Sequence, residues 1–266
     1  MKTPPLPSNA EQMSSPSFRL AALDQDFLLS DSTRGVRFLL EYEKADQILK
    51  RLNVKSTIVV FGSARTREDG PGKQAFWYNE ARKFGRIASE RGGALQDEED
   101  GAHRNVIATG GGPGTMGAAN RGARDAGALT IGYNIRLPHE QEPNPYSTPD
   151  LTFQFHYFAM RKMHFAMRAN ALVVFPGGFG TFDELFEILT LRQTGKASQM
   201  PIVLFDESYW RAVVNFDKLV EYGVIDGADL ALFRFADTAE ATWEALVEQG
   251  LKIEKLNGEP AHGKDI

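Results

Sequence analysis

The chain has 266 residues, 42% of them apolar, enough for one elaborated α/β domain with a sizeable core. Its 35 acidic and 30 basic residues leave a formal charge of −5, which carries no footprint for a nucleic acid polymer but still allows a local basic pocket for one phosphate. Cysteine is absent, which excludes disulfides, thiolate metal sites and thiol catalysis, and fits a reducing cytoplasm.

Residues 1–17 are polar and rich in Pro and Ser; they read as a disordered lead-in without the apolar stretch of a signal peptide. Residues 18–52 carry helical spacing (Phe38, Leu39, Tyr42, Ala45, Ile48, Leu49, Leu52) and predict one or two N-terminal helices. The core pattern then begins. Ser56–Phe61 is a short β-branched run ending at Gly62, and predicts a buried strand. A helix is predicted over 74–91, a strand over 105–109, a small-residue helix over 115–126 and a strand over 128–133. The stretch 134–152 holds four prolines and reads as a loop. Further helices are predicted over 155–168, 182–193, 208–221 and 238–249, with strands over 170–175, 201–205 and 231–235. The tail from 254 is polar. Short apolar strands alternating with helices predict parallel βαβ units in a single domain over 18–253. No stretch approaches the ~20 apolar residues that span a bilayer, so no membrane partner is expected.

Two glycine-rich turns follow two of the strands. Ligands in such sheets bind beyond the carboxyl ends of the strands, where both turns fall. The first runs Gly110-Gly111-Gly112-Pro113-Gly114-Thr115-Met116-Gly117. Glycine permits a sharp turn and close approach of a ligand, and the following helix presents free N–H groups to an anion. Thr115 is placed either to cap that helix or to meet a phosphate oxygen. The turn lacks the Lys-Ser/Thr of a P-loop and a clean GxGxxG. The second turn runs Pro176-Gly177-Gly178-Phe179-Gly180-Thr181-Phe182-Asp183-Glu184. Thr181 and Glu184 have the spacing of a capping box, so Glu184 is either a helix cap or a carboxylate facing the pocket. Gly62, Ser63 and Arg65 close the first strand with a turn, a hydroxyl and a guanidinium suited to phosphate.

Arg161 and Lys162 lie on the helix predicted over 155–168. They either bring fixed positive charge to an anionic ligand or serve as surface cations covering apolar stems. No metal-ligand spacing occurs, and no metal is expected.

Gly110–Gly114, Arg161-Lys162 and the PGGxGTxxE signature, here PGGFGTFDE over Pro176–Glu184, resemble the LOG family, some of whose members have carried the label lysine decarboxylase. FGSAR at 61–65, NRGARDAG at 120–127 and LPHEQEPNPY at 137–146 are similar to its larger bacterial branch. The resemblance covers roughly residues 54–220. It implies a Rossmann-like three-layer α/β fold with a mostly parallel sheet, a homodimer, and hydrolysis of a nucleoside 5'-monophosphate (AMP or a cytokinin ribotide) to free base and ribose 5-phosphate. It calls for no cofactor. Carried over by motif, the catalytic pair is Arg161 and Glu184, and the phosphate-binding turn is Gly177, Gly178, Gly180 and Thr181. Gly111, Gly112 and Gly114 shape the nucleotide pocket. One departure is clear: many relatives read GIMEAAN after the first turn, and Gly117 stands here in place of that Glu. A decarboxylase would need a Schiff-base lysine for pyridoxal phosphate, and no segment advertises one. Phe155, Tyr157 and Phe179 are the aromatic candidates for stacking on a base. The rival expectations are a nucleotide-binding protein without turnover and a dinucleotide-dependent oxidoreductase.

Overall fold

The computed structural model describes residues 8–95, 99–138, 142–197 and 199–253. The first seven residues of the predicted lead-in and the tail from 254 lie outside the described residues. The chain divides into two compact units with the boundary between Lys44 and Ala45.

The smaller unit holds α1 (Ala10–Ser14), α2 (Gln25–Leu29) and the start of α3 (Arg34–Arg51). Short polar links order it: Asp24 caps α2 by accepting from the Phe27 N–H at 3.2 Å, and Arg37 donates to the Leu28 and Ser30 carbonyls. Phe18, Leu20, Leu23 and Leu29 are exposed.

The larger unit is built on one seven-stranded sheet in the order β4-β3-β2-β1-β5-β6-β7. The strands are β1 (Thr57–Phe61), β2 (Val106–Thr109), β3 (Thr130–Ile135), β4 (Thr152–Phe155), β5 (Ala169–Val174), β6 (Ile202–Phe205) and β7 (Arg234–Ala236). Every adjacent pair is parallel. The helices are α4 (Gln74–Arg91), α5 (Thr115–Asp125), α6 (Phe158–Met167), α7 (Phe179–Gln193), α8 (Glu207–Val213), α9 (Phe216–Glu221) and α10 (Ala239–Glu248). Successive strand side chains point to opposite faces, so Ile58 and Val60 of β1 join the α4–α5–α10 core while Val59 and Phe61 join the core of α6 and α7. This is the Rossmann-like α/β fold expected, with N-terminal helices and a sheet that is parallel throughout.

The chain builds β1 to β4 outward in one direction, then crosses back to lay β5 on the other side of β1. That reversal is a topological switch point, the place where open α/β sheets bind ligands. The two turns are tied there: the Phe175 N–H donates to the Phe61 carbonyl at 2.9 Å, and the Ser63 N–H to the Pro176 carbonyl at 3.0 Å.

Several expectations need correction. The stretch 134–152 is not all loop: β3 runs on to Ile135, and β4, beginning at Thr152, is an edge strand alternating between buried and less buried residues. The helix predicted from 155 begins at Phe158, because Phe155 belongs to β4. The helix predicted over 208–221 is broken: Val214 is extended, and Asn215 caps a new start at Lys218 N. The last strand is displaced to Arg234–Ala236, with a 3-10 turn over Gly227–Leu232 before it.

Candidate functional site

The two glycine turns have unlike surroundings. The first is sealed by protein. Gly114 sits at φ +70, and a Cβ there would overlap the Ser63 and Ala64 backbone, so glycine is required. The Thr115 amide donates to the Ser63 carbonyl at 3.1 Å, and the Asn144 side chain donates to the Gly111 and Gly112 carbonyls at 3.0 and 3.1 Å. Asn144 also donates to Asn120 Oδ1 at 2.9 Å, and Asn120 reaches Thr130 and Ile131 of β3. Thr115 does not cap α5, whose N-cap is Gly114; its side chain is fully buried against Gly62. Gly117 is buried, with Asn144 across from it at ordinary contact distance.

The second turn is open. Gly178 and Gly180 are exposed, and a Cβ built on either would meet nothing within 4 Å. Packing therefore does not demand glycine at these two positions, and the bare backbone is free for a close approach. The helix α7 starts at Phe179, earlier than the expected residue 182, with Gly178 as N-cap. The Thr181 and Phe182 amides both donate to the Gly178 carbonyl, at 2.9 and 3.0 Å. The amides of Gly178, Phe179 and Gly180 have no acceptor among the described residues. Three unpaired N–H groups at the positive end of a helix dipole are groups of the kind that meet anions. Gly177 has a different reason: a Cβ there would overlap the Thr181 side chain.

Because α7 begins two residues before Thr181, that residue lies inside the helix and cannot be its N-cap. The capping-box reading of Glu184 fails with it. Glu184 is instead buried and meets Arg161, whose Nη2 donates to Oε1 at 3.2 Å. Arg161 comes from α6, with its guanidinium carbon 5.3 Å from the Phe158 ring centre and 5.6 Å from that of Phe165. Burial raises the Glu184 carboxyl above its ordinary value, and the nearby Lys162 and Arg161 charges only partly offset that. Lys162 bonds Asp183 at 2.7 Å and Glu187 at 2.8 Å. Burial alone would lower its ammonium, but the two carboxylates prevail and raise it. Glu187 thus serves Lys162, and Arg168, at the C-terminal end of α6, pairs with Asp46 at 2.5 Å.

Of the other candidates, Ser63 links the two turns, and Arg65 is exposed beside it. Phe155 is core, packed on Tyr133, and unavailable to a base; Phe179 is 96% exposed and Tyr157 partly so. His164 is buried between the Tyr133 and Phe155 rings. Asn144 and Asn120 escaped the sequence reading, since lone amides in a proline-rich loop and a small-residue helix give no pattern.

Fold and site together define a Rossmann-like protein with an open, amide-rich turn at its switch point and an Arg–Glu pair with a buried carboxylate on the adjoining helices. Residues 116–246 match the family model described as "Possible lysine decarboxylase". A rice protein (Oryza sativa subsp. japonica) named "Probable cytokinin riboside 5'-monophosphate phosphoribohydrolase LOG4" is 31% identical over 147 residues, which is 54% of this chain and 63% of that protein. An Arabidopsis thaliana protein named "Cytokinin riboside 5'-monophosphate phosphoribohydrolase LOG3" is 27% identical over 169 residues, 62% of this chain and 77% of that one. Over these residues the chain is similar to LOG-family proteins. Two solved structures share its fold. One is the structural-genomics target TM1055, with TM-score 0.52 and 21% identity over 73% of this chain and 99% of that chain. The other is the molybdenum cofactor carrier protein from Chlamydomonas reinhardtii, with TM-score 0.50 and 20% identity over 74% of this chain and all of that one. The decarboxylase description does not fit the residues: Lys162, the lysine beside the motifs, is held as a cation by two carboxylates rather than poised as a neutral amine for a Schiff base.

Proposed function

We propose that the protein hydrolyses the N-glycosidic bond of a nucleoside 5'-monophosphate, AMP or a cytokinin ribotide, to free base and ribose 5-phosphate. The observation that carries this reading is the placement of buried Glu184, paired with Arg161, just along α7 from an open turn with unpaired amides. The relatives' names support the same class of reaction.

The phosphate sits on the amides of Gly178, Phe179 and Gly180. From Phe179 to Glu184 the helix axis advances about 7.5 Å, so the carboxylate lies little more than one turn along α7 from the unpaired amides. Glycosidic cleavage passes through an oxocarbenium-like state with positive charge on the sugar. A buried carboxylate acts on that charge more strongly than an exposed one, because little water screens it. Glu184 therefore stabilises the developing cation and orients the ribose hydroxyls and the attacking water. Arg161 holds Glu184 in place and anchors the substrate. The phosphate, remote from the bond that breaks, supplies binding energy used for orientation. Phe179 is free to stack on the base. The exposed Phe158 and Phe186 fit burial in a homodimer. No described helix is long and apolar enough to cross a membrane.

Incubating the purified protein with AMP, CMP and isopentenyladenosine monophosphate, and assaying ribose 5-phosphate and free base, tests this. Product from at least one supports the enzyme. A rise in melting temperature without product would favour the binding-protein reading, to which Gly117, in place of a carboxylate, lends its support.

A further inference from the structure

The open glycine turn is braced from behind by α8. The Tyr209 hydroxyl donates to the Gly177 carbonyl at 2.6 Å. A peptide unit is planar and trans, so its C=O and the following N–H point in opposite directions. Fixing the Gly177 carbonyl on Tyr209 therefore fixes the direction of the Gly178 N–H, one of the three unpaired amides. A glycine-rich turn left to itself samples many backbone states. Here one peptide plane has an external anchor.

The anchor is itself over-determined. The Tyr209 ring meets Trp77 edge-on at 5.8 Å and Trp210 at 5.3 Å. Its backbone N–H is accepted by Asp206 at 3.2 Å. Asp206 takes φ +69 and ψ 82, a left-handed conformation that costs a non-glycine residue energy and persists only when its surroundings impose it. They do so through its carboxylate, which accepts from Trp77 Nε1 at 2.8 Å, Lys73 Nζ at 2.9 Å and Ser208 Oγ at 2.5 Å. Burial alone would raise this carboxyl, but the donors outweigh it and hold it below the ordinary value. The Tyr209 hydroxyl is raised by burial, against a smaller opposing effect of its bond to Gly177, and so stays a donor at neutral pH. The start of α4, the β6–α8 corner and the β5–α7 turn are thus linked in one chain of hydrogen bonds.

We infer that Tyr209 is a positioning residue for the anion-holding turn, with Trp77 and Asp206 holding it in register. The inference rests on the reading that this turn binds the substrate phosphate. It adds that the turn's geometry is imposed from α4 and α8, outside the motif that contains it.

Calorimetric titration of the full chain with ribose 5-phosphate tests it. Tyr209→Phe keeps the ring packing and removes the donor; its Kd should rise about fivefold, the worth of one ordinary hydrogen bond, with stoichiometry and unliganded melting temperature retained. Trp77→Phe removes the indole donor to Asp206 and should weaken binding in the same direction by a smaller factor. In turnover, Tyr209→Phe should raise KM for the monophosphate and leave kcat, as expected when an interaction common to ground and transition states is lost. An unchanged Kd in Tyr209→Phe overturns the inference. So does a fall in stoichiometry at constant Kd, which marks lost fold rather than a misplaced turn. If the unaltered protein binds no ribose 5-phosphate, the phosphate reading itself fails and the inference falls with it.

Discussion

The Arg161 guanidinium and the Glu184 carboxylate are each other's counter-ion inside the protein, 3.2 Å apart with side chains 14% and 4% exposed. They come from α6 and α7, helices separated in sequence by β5. Removing either partner leaves the other charge buried without its mate, which is costly in itself.

Glu184→Gln and Arg161→Ala should each lower kcat/KM by at least about tenfold, equivalent to roughly 1.4 kcal/mol of transition-state stabilisation. The measurement is release of ribose 5-phosphate by purified variants, assayed well below the melting temperature of each. Unchanged rates in both would end the catalytic assignment.

The pH dependence follows from the direction of the Glu184 shift. Burial raises this carboxyl, and Lys162 and Arg161 pull it back in part. Activity requires the ionised form, so the acid limb of kcat/KM should lie above the ordinary glutamate value of about 4.3. Lys162→Met removes a positive charge that favours ionisation, so the limb should move to still higher pH. A limb that moves down, or stays, would show that another group controls it.

Gly177, Gly178 and Gly180 should respond differently to alanine. A methyl at Gly180 meets no protein atom, so Gly180→Ala should leave stability unchanged or raise it by about 0.5 kcal/mol, while crowding the anion and weakening phosphate binding. Gly178→Ala should behave likewise. Gly177→Ala drives a methyl into Thr181 and should lower the melting temperature. Thermal denaturation with and without ribose 5-phosphate separates the cases, and equal phosphate binding by Gly180→Ala and the parent would count against the site.

Asp46 accepts from Arg168 at 2.5 Å and Lys50 at 2.7 Å, and it anchors the end of α6 just before β5. Burial pushes its carboxyl up, but the two cations prevail and hold it below the ordinary value of 3.8. A carboxylate lowered by folding stabilises above its unfolded value, and the contribution is lost as pH falls through the folded one. Asp46→Asn should therefore cost roughly 3 kcal/mol at pH 7, with the gap to the parent closing only below about pH 4. Urea unfolding at pH 7 and at successively lower pH measures both.

Much of the fold was legible because it is written locally. The runs TIVVF, VIAT and IVLF are short, apolar and rich in β-branched residues, and lie in β1, β2 and β6, buried along their whole length. β4 was not legible: TFQF follows a proline-rich stretch and alternates as an edge strand does, too briefly to stand out from a loop. The break between α8 and α9 was hidden because the apolar spacing runs on across Asn215.

At the site, sequence by itself determined which residue types could meet: glycines that free a turn, an Arg-Lys pair on a helix, and a glutamate three residues beyond a threonine. It left Glu184 divided between helix cap and pocket, because both readings share that spacing. Tertiary structure decided it, by starting α7 at Phe179 and packing α6 so that Arg161 reaches the carboxylate. It also decided which glycine turn is open and which is closed by Asn144, and it joined Trp77 to Asp206 across 129 positions. Backbone propensity and side-chain period act over a few residues, and so show in the chain. Which distant groups share a buried space depends on how helices settle against the two faces of the sheet, and no local pattern encodes that.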